Sequence, residues 1–271
     1  MIETSAIIDP SAKIAAGVKI GAFTRIGPHV EIGEGTTIAS HVVIDKNTRI
    51  GKHNKIYDFA CIGGDPQDLT PQDRETFLEI GDQNIIREFC TINRGSNKAA
   101  GSGVTRVGNC NMLMAYIHIG HDCQVGSHII FANNASIAGH VTVDDHANLG
   151  AFAAVHQFVR IGSFSFLGRA TKVGQDVLPY MLITGNPGSP TGLNLVGLRR
   201  RGLSQGLMRA LRHTYQLFYR RDLKLTEIHQ ELMEMAKHHH EINLFLDILN
   251  NTKRGVARPR LNRRHIPITD I

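Results

Sequence analysis

An aliphatic residue returns every sixth position along most of this chain, a spacing that no single helical stripe can produce. From the middle of the sequence it runs Val107, Leu113, Ile119, Val125, Ile137, Val143, Leu149, Val155, Ile161, Leu167 and Val173, with Phe131 in the one remaining slot. Nearer the N-terminus the same position is held by ten isoleucines, Ile8, Ile14, Ile20, Ile26, Ile32, Ile38, Ile44, Ile50, Ile56 and Ile62. Helical periods of 3.5 or 3.6 do not fit, whereas short extended runs separated by corners do, and β-branched residues suit a pleated, half-buried surface. The pattern is a hexapeptide repeat, the signature of a parallel β-helix solenoid.

If three hexads make one triangular coil, residues 18 apart lie over one another, and successive coils are separated by the strand-pairing distance of about 4.8 Å. Each inward residue is then buried mainly against the coils above and below. Gly21, Gly27, Gly33 and Gly51 follow the aliphatic residue and are expected to supply corner conformations with φ > 0. A small or β-branched residue often stands four places after the aliphatic one. Cys123 is such a residue and is expected to be buried rather than reactive.

Two polar segments interrupt the register, near 63–79 and near 94–106. The first returns in phase at Ile80, Ile86 and Ile92, while the 15 residues from Ile92 to Val107 break it. Loops leaving a rigid scaffold commonly carry binding function. The period ends after Pro179, so residues 1–190 are expected to form the mainly β solenoid and 191–271 a C-terminal α-helical domain. Ser204 reads as an N-cap before a helix over 207–221, Thr226 as the cap of a second over Ile228, Leu232 and Met235, and 241–250 as a third.

Of 30 Lys+Arg and 24 Asp+Glu, 15 and 7 lie in residues 191–271, leaving 15 and 17 before them. The positive excess therefore belongs to the C-terminal part, where it would attract an acidic partner or remain a solvated face. No apolar run is long enough for an integral membrane segment. The first residues lack a basic start and a long apolar stretch, so a cytoplasmic chain is expected. Cys61, Cys90, Cys110 and Cys123 lack the paired spacing of zinc ribbons or disulfide frameworks.

The period of 18 turns the repeat into a map. It places Gly139 above His121, His140 above Asp122, and Gln157, beside His156, in the His121 column one coil further on. A histidine beside a carboxylate can act as general base, and a glycine overhead leaves a backbone N–H available to an oxyanion. Histidines on adjacent coils could equally hold zinc, and the residues alone leave these alternatives open.

Several motifs add specificity: His118-Ile119-Gly120-His121-Asp122-Cys123, Ala132-Asn133-Asn134-Ala135, Ala138-Gly139-His140-Val141, Ala154-Val155-His156-Gln157-Phe158 and Gly197-Leu198-Arg199-Arg200-Arg201-Gly202. In this order they closely resemble the UDP-N-acetylglucosamine O-acyltransferase family over essentially the full chain. The resemblance implies a homotrimer of left-handed parallel β-helices with active sites between subunits, no cofactor, no metal and no nucleic acid. It implies transfer of an (R)-3-hydroxyacyl group from acyl carrier protein to the 3-hydroxyl of UDP-N-acetylglucosamine, the first step of lipid A synthesis.

By the same resemblance His121 is the general base, Asp122 orients it and Gly139 N–H holds the oxyanion. Gln67, Asp68, His118, His140, His156, Gln157, Asn194, Arg200 and Arg201 contact or position substrate. Arg169 stands where the family measures acyl length, and its bulk is expected to favour a medium chain. Thr70 and Val196 depart from the family pattern near the nucleotide. Two other classes compete: a zinc-dependent hydratase of the γ-type carbonic anhydrase kind, and a scaffold β-helix without catalysis.

Overall fold

The structure is a computed structural model that describes residues 1–69, 74–97 and 101–259; Thr70 and the basic segment from 260 onward lie outside them. Short strands, mostly of two residues, assemble into three parallel sheets that form the faces of a triangular prism. Face I carries the strands of Ile8, Ile26, Ile44, Ile62, Ile92, Ile119, Ile137, Val155 and Val173. Face II runs from Lys13–Ile14 to Arg160–Ile161, and face III from Lys19–Ile20 to Met181–Thr184. Partners such as Ile119 and Ile137 are 18 residues apart, as the period requires.

The insertions lengthen the sequence separation between stacked partners and leave the coils paired. Ile62 pairs with Ile92, and Ile92 with Ile119. The extra residues leave between Cys61–Gly64 and Phe77–Ile80, and between Thr91–Asn93 and Val104–Val107. Both exits are on the corner joining face I to face II, in consecutive coils. The solenoid also continues past Pro179: Met181–Thr184 pairs in parallel with Phe166–Leu167, then turns back against the antiparallel strand Ser189–Leu193.

The core is a column of inward aliphatics, and the second inward position is filled by Ala135, Val141, Ala147, Ala153 and Cys123, all buried. Burying one such Ile or Val side chain contributes roughly 1.5–3 kcal/mol, and every coil repeats the gain.

The corner glycines behave differently from the sequence expectation. Gly21, Gly27, Gly33 and Gly51 do not take positive φ; the left-handed position is the fourth of the hexad, held by Phe23, His29, Gly35, His53 and their counterparts, including Asp122 (φ 58°) and His140 (φ 62°). The glycines are needed for another reason. A β-carbon on Gly33 would fall 2.6 Å from the backbone of Gly51, and one on Gly21 would fall 2.6 Å from that of Ala39. The hydrogen bonds between coils hold the backbones too close for a side chain there.

Four helices follow: α1 (Leu195–Arg200), α2 (Gln205–Tyr219), α3 (Leu225–Ala236) and α4 (Asn243–Asn251), the last entered through a 3-10 turn at His240–Ile242. Ser204 caps α2, its Oγ accepting from Leu207 N at 3.2 Å. Thr226 does not cap α3. It lies in the first turn, and Lys224 is the cap residue, its backbone N–H donating to Glu227 Oε2 at 2.7 Å. The helices bury Leu211, Leu217, Phe218, Ile228, Leu232, Phe245 and Ile248. They are fastened to the last coils by the ion pair of Arg160 with Asp247 at 2.6 Å and by Phe245, whose ring centroid is 5.9 Å from that of Tyr180.

Candidate active site

The two insertions and the histidine cluster share the corner between faces I and II. Ile119, Ile137 and Val155 are stacked partners, so the residues two and three places after each of them, His121–Asp122, Gly139–His140 and Gln157–Phe158, stand in one column. His140 N donates to His121 O at 2.9 Å and Phe158 N to Gly139 O at 3.2 Å, which ties the three coils together at this point. The His140 ring stacks on Phe158 at 4.4 Å and meets His121 edge-on at 5.0 Å.

Asp122 is buried, and its carboxylate is saturated with donors. Oδ2 accepts from Ser96 Oγ at 2.6 Å, from Ser96 N at 3.0 Å and from His121 Nδ1 at 2.9 Å, while Oδ1 accepts from Gly103 N at 3.0 Å. Burial pushes the carboxyl's pKa up. The hydrogen bonds from His121 and Ser96 and the nearby charge of His140 outweigh it and hold Asp122 below the usual carboxylate range. An ionised carboxylate can only accept, so His121 Nδ1 carries the hydrogen, and in the neutral imidazole Nε2 is left as a lone-pair acceptor. That nitrogen lies 3.7 Å from Asp68 Oδ2 of the first insertion and directly beneath Gly139.

Gly139 N–H has no hydrogen-bond acceptor among the described residues. Equivalent corner N–H groups are often capped from the next coil, as Ser40 N is by Asp58 and Ser127 N by Asp145. Over Gly139 that column holds Gln157, which is exposed, and the N–H stays available. His118 projects from face I on the coil of His121, its Nδ1 2.8 Å from Thr91 Oγ1; burial and the neighbouring His121 hold its pKa below the ordinary histidine value.

His121, Asp122 and His140 bring three ligand atoms within 4.8 Å of one another. The donor set does not suit zinc. Asp122 Oδ2 is committed to Ser96 and His121, and a cation bound by Asp122 and by His121 through Nδ1 would have to break the bond that orients the imidazole. Cys123 is no nucleophile: it is buried, and burial pushes its thiol up to about 12.

Other expected residues are spread over the molecule. Gln67, His156 and Gln157 are exposed at or near the same corner. Asn194 is buried at the start of α1, where its Oδ1 accepts from Gly197 N and its Nδ2 donates to Phe164 O. Arg201 Nη1 is 2.9 Å from His146 Nδ1, and its guanidinium lies 5.0 Å over the Phe164 ring. Phe164 and His146 belong to the corner between faces II and III, so Asn194, Arg200 and Arg201 do not reach His121 of their own chain. Arg169 is exposed on the third corner. Periodicity, for its part, did not reveal Ser96 or Gly103, because insertion residues have no register to be read from.

Comparison with known proteins follows this geometry closely. A hexapeptide-repeat profile for bacterial transferases matches residues 11–46, and one described as UDP N-acetylglucosamine O-acyltransferase, domain 2, matches residues 176–257. The acyl-[acyl-carrier-protein]–UDP-N-acetylglucosamine O-acyltransferase of Paracidovorax citrulli is 50% identical over 261 residues, covering 95% of this chain and 99% of that protein. The chain belongs to the UDP-N-acetylglucosamine O-acyltransferase family. The enzyme of the same name from Pseudomonas putida is 46% identical over 257 residues, with the same coverage. Two crystal structures of the family superpose with TM-scores of 0.92: the Francisella novicida enzyme (43% identity, 95% of this chain and 94% of that one) and that of Acinetobacter baumannii (42%, 95% and 99%). These neighbours and the repeat identify the solenoid as the left-handed parallel β-helix of this acyltransferase family. No helix among the described residues is long and apolar enough to cross a membrane.

Proposed function

We propose that this acyltransferase moves an (R)-3-hydroxyacyl group from acyl carrier protein to the 3-hydroxyl of UDP-N-acetylglucosamine, with His121 as the general base. The observation that carries the reading is the Asp122–His121–Gly139 alignment. Asp122 holds Nδ1–H at 2.9 Å, so Nε2 is free to take a proton, and a backbone N–H without a described acceptor lies next to it. In the reaction Nε2 removes the proton of the sugar hydroxyl as its oxygen attacks the thioester carbonyl. The oxyanion of the tetrahedral adduct is held by Gly139 N–H. Collapse breaks the C–S bond, and the imidazolium returns its proton to the departing thiolate. The products are the sugar ester and the free thiol of the carrier protein.

The other expected residues have roles in the same reading. Asp68, His118, His140, His156 and Gln157 line the corner where the sugar and the acyl thioester meet, with Gln67 at its edge. Asn194, Arg200 and Arg201 lie too far round the prism to serve their own His121, so a neighbouring copy in a homotrimer supplies them. The basic excess after residue 190 suits an acidic carrier protein, and the reaction fits a cytoplasmic enzyme. Arg169 shortens the acyl groove.

Incubating the protein with UDP-N-acetylglucosamine and a mixture of (R)-3-hydroxyacyl carrier proteins, followed by mass analysis, tests the reading. An ester of the sugar nucleotide with one preferred chain length is expected. The absence of any acylated nucleotide, or an equal yield with His121→Ala, would overturn it.

A further inference from the structure

We propose that Arg94 is a positioning residue that locks the two corner insertions together and thereby fixes Asp122 behind His121. It stands two places after Ile92, where the second insertion leaves the coil before that of His121, and is only 2% exposed. A buried guanidinium is costly unless its donors are satisfied; here both terminal nitrogens are spent on the root of the first insertion, while Nε has no hydrogen-bond partner among the described residues. Nη1 donates to Gly63 O and Nη2 to Asp65 Oδ1, with Asp45 Oδ2 3.7 Å from Nη1. The backbone continues the seam: Arg94 N donates to Gly64 O at 3.0 Å, and the Nδ2 of the preceding Asn93 to Asp65 O at 2.7 Å.

Each end of this seam leads to the site within a few residues. Downstream of Arg94, Gly95 N donates to Phe77 O at 3.1 Å, and Ser96 then delivers both its hydroxyl and its amide to Asp122 Oδ2. Gly103 N, further along the same insertion, holds Oδ1. Three residues after Asp65, Asp68 stands 3.7 Å from His121 Nε2. One buried side chain therefore sits at the root of both segments that approach the His121–Asp122 pair, one from each side of the imidazole. Glycine is required inside the clamp, since a β-carbon on Gly101 would fall 2.7 Å from Asp122 Oδ1 and one on Gly95 would fall 2.0 Å from the backbone of Gly103.

The inference rests on the proposed role of His121, and the test separates the two. In the full-length protein, Arg94→Met keeps bulk and removes the donors, whereas Arg94→Lys keeps a charge that can reach Asp65 but not Gly63 O as well. Arg94→Met is expected to lower kcat on the order of tenfold to a hundredfold, the scale of a misplaced catalytic group, with a smaller change in KM for the sugar nucleotide. Arg94→Lys recovers part of the loss. Because Arg94 acts through Ser96, Arg94→Met costs much less in a Ser96→Ala background than in the wild type. Independently of activity, amide exchange at Ser96 and Gly103 accelerates in Arg94→Met and not in His121→Ala. Full additivity of Arg94→Met with Ser96→Ala, or unchanged exchange at those amides, overturns the proposal. A wild type that transfers no acyl group overturns the catalytic reading instead, and the exchange measurement then decides the coupling alone.

Discussion

A β-carbon placed on Gly139 would fall 2.5 Å from both Cε1 and Nε2 of His121, so the imidazole of one coil occupies the space a side chain on the next would need. The two residues are 18 apart, and the solenoid's register alone brings them together. Gly139→Ala keeps the backbone N–H but displaces the ring. Transfer should fall on the order of a hundredfold through kcat while the melting temperature changes little, because the atoms in the way belong to a side chain that can turn aside rather than to the backbone. Steady-state kinetics beside a thermal melt checks this; wild-type kcat would show that the ring has room to spare.

Asp122→Asn tests the orientation of the imidazole. An amide has one oxygen where the carboxylate has two; with that oxygen kept on Gly103 N, the NH2 faces His121 Nδ1 and Ser96 N, Nε2 becomes the protonated nitrogen, and Ser96 N loses its acceptor. A base with its proton in the wrong place loses on the order of a thousandfold in kcat or more. Stability falls by roughly 1–3 kcal/mol because a buried donor is left without its acceptor. If Asp122→Asn keeps a tenth of the wild-type rate, the carboxylate is not what sets the tautomer.

How much of this site was legible in the sequence depends on which residues obey the repeat. The column of His121, Gly139 and Gln157 followed from arithmetic, because each coil repeats the one below in steps of 18 and the sheet hydrogen bonds forbid slippage. Ser96 and Arg94 were not legible: they lie in an insertion, where chain reversal rather than periodicity decides position. The corner glycines were assigned the wrong cause, because sequence reveals that a side chain is missing but not whether φ or a neighbouring backbone excludes it. Asn194 shows a related limit. Its buried Oδ1 caps α1, a six-residue helix too short to leave an apolar period.

His118 makes stability depend on pH. Its folded pKa is lowered by burial, with a contribution from His121, so near and below the unfolded histidine value of about 6.5 the unfolded chain binds the proton more readily. Stability should therefore rise as pH increases toward that value and level off above it. His146, lowered by burial and Arg201, acts in the same direction. Thermal midpoints measured from pH 5 to 7.5 should climb in the wild type and climb less steeply in His118→Gln. An identical slope in the two proteins would place the titration elsewhere.

Arg169 concerns specificity rather than rate. Its exposed side chain stands at the third position of its hexad, on the corner between faces III and I. If it closes the far end of the acyl groove, Arg169→Gly lengthens the preferred chain by several methylenes, at about 0.8 kcal/mol of binding for each one newly buried. Competition between carrier proteins of different acyl length, read by product mass, measures the change. An unaltered preference would remove Arg169 from the groove.

The corner glycines allow the solenoid's spacing to be tested without touching catalysis. Gly33 and Gly174 both follow an inward aliphatic residue, Ile32 and Val173. A β-carbon on Gly33 would meet the carbonyl carbon and oxygen of Gly51 at 2.6 Å, while one on Gly174 would meet nothing within 4 Å. The Gly33 N–H is bonded to Ile50 O at 2.8 Å, so the coils cannot separate to admit a methyl group without breaking the ladder beside it. Gly33→Ala should cost about 1–3 kcal/mol, the usual range for overpacking. Gly174→Ala should be neutral or stabilising by up to about 1 kcal/mol, because neither glycine uses a positive φ and alanine restricts only the unfolded chain. Melting both variants beside the wild type distinguishes backbone proximity from backbone conformation as the reason for the repeat's glycines: equal losses would point to conformation, and a loss confined to Gly33→Ala to proximity.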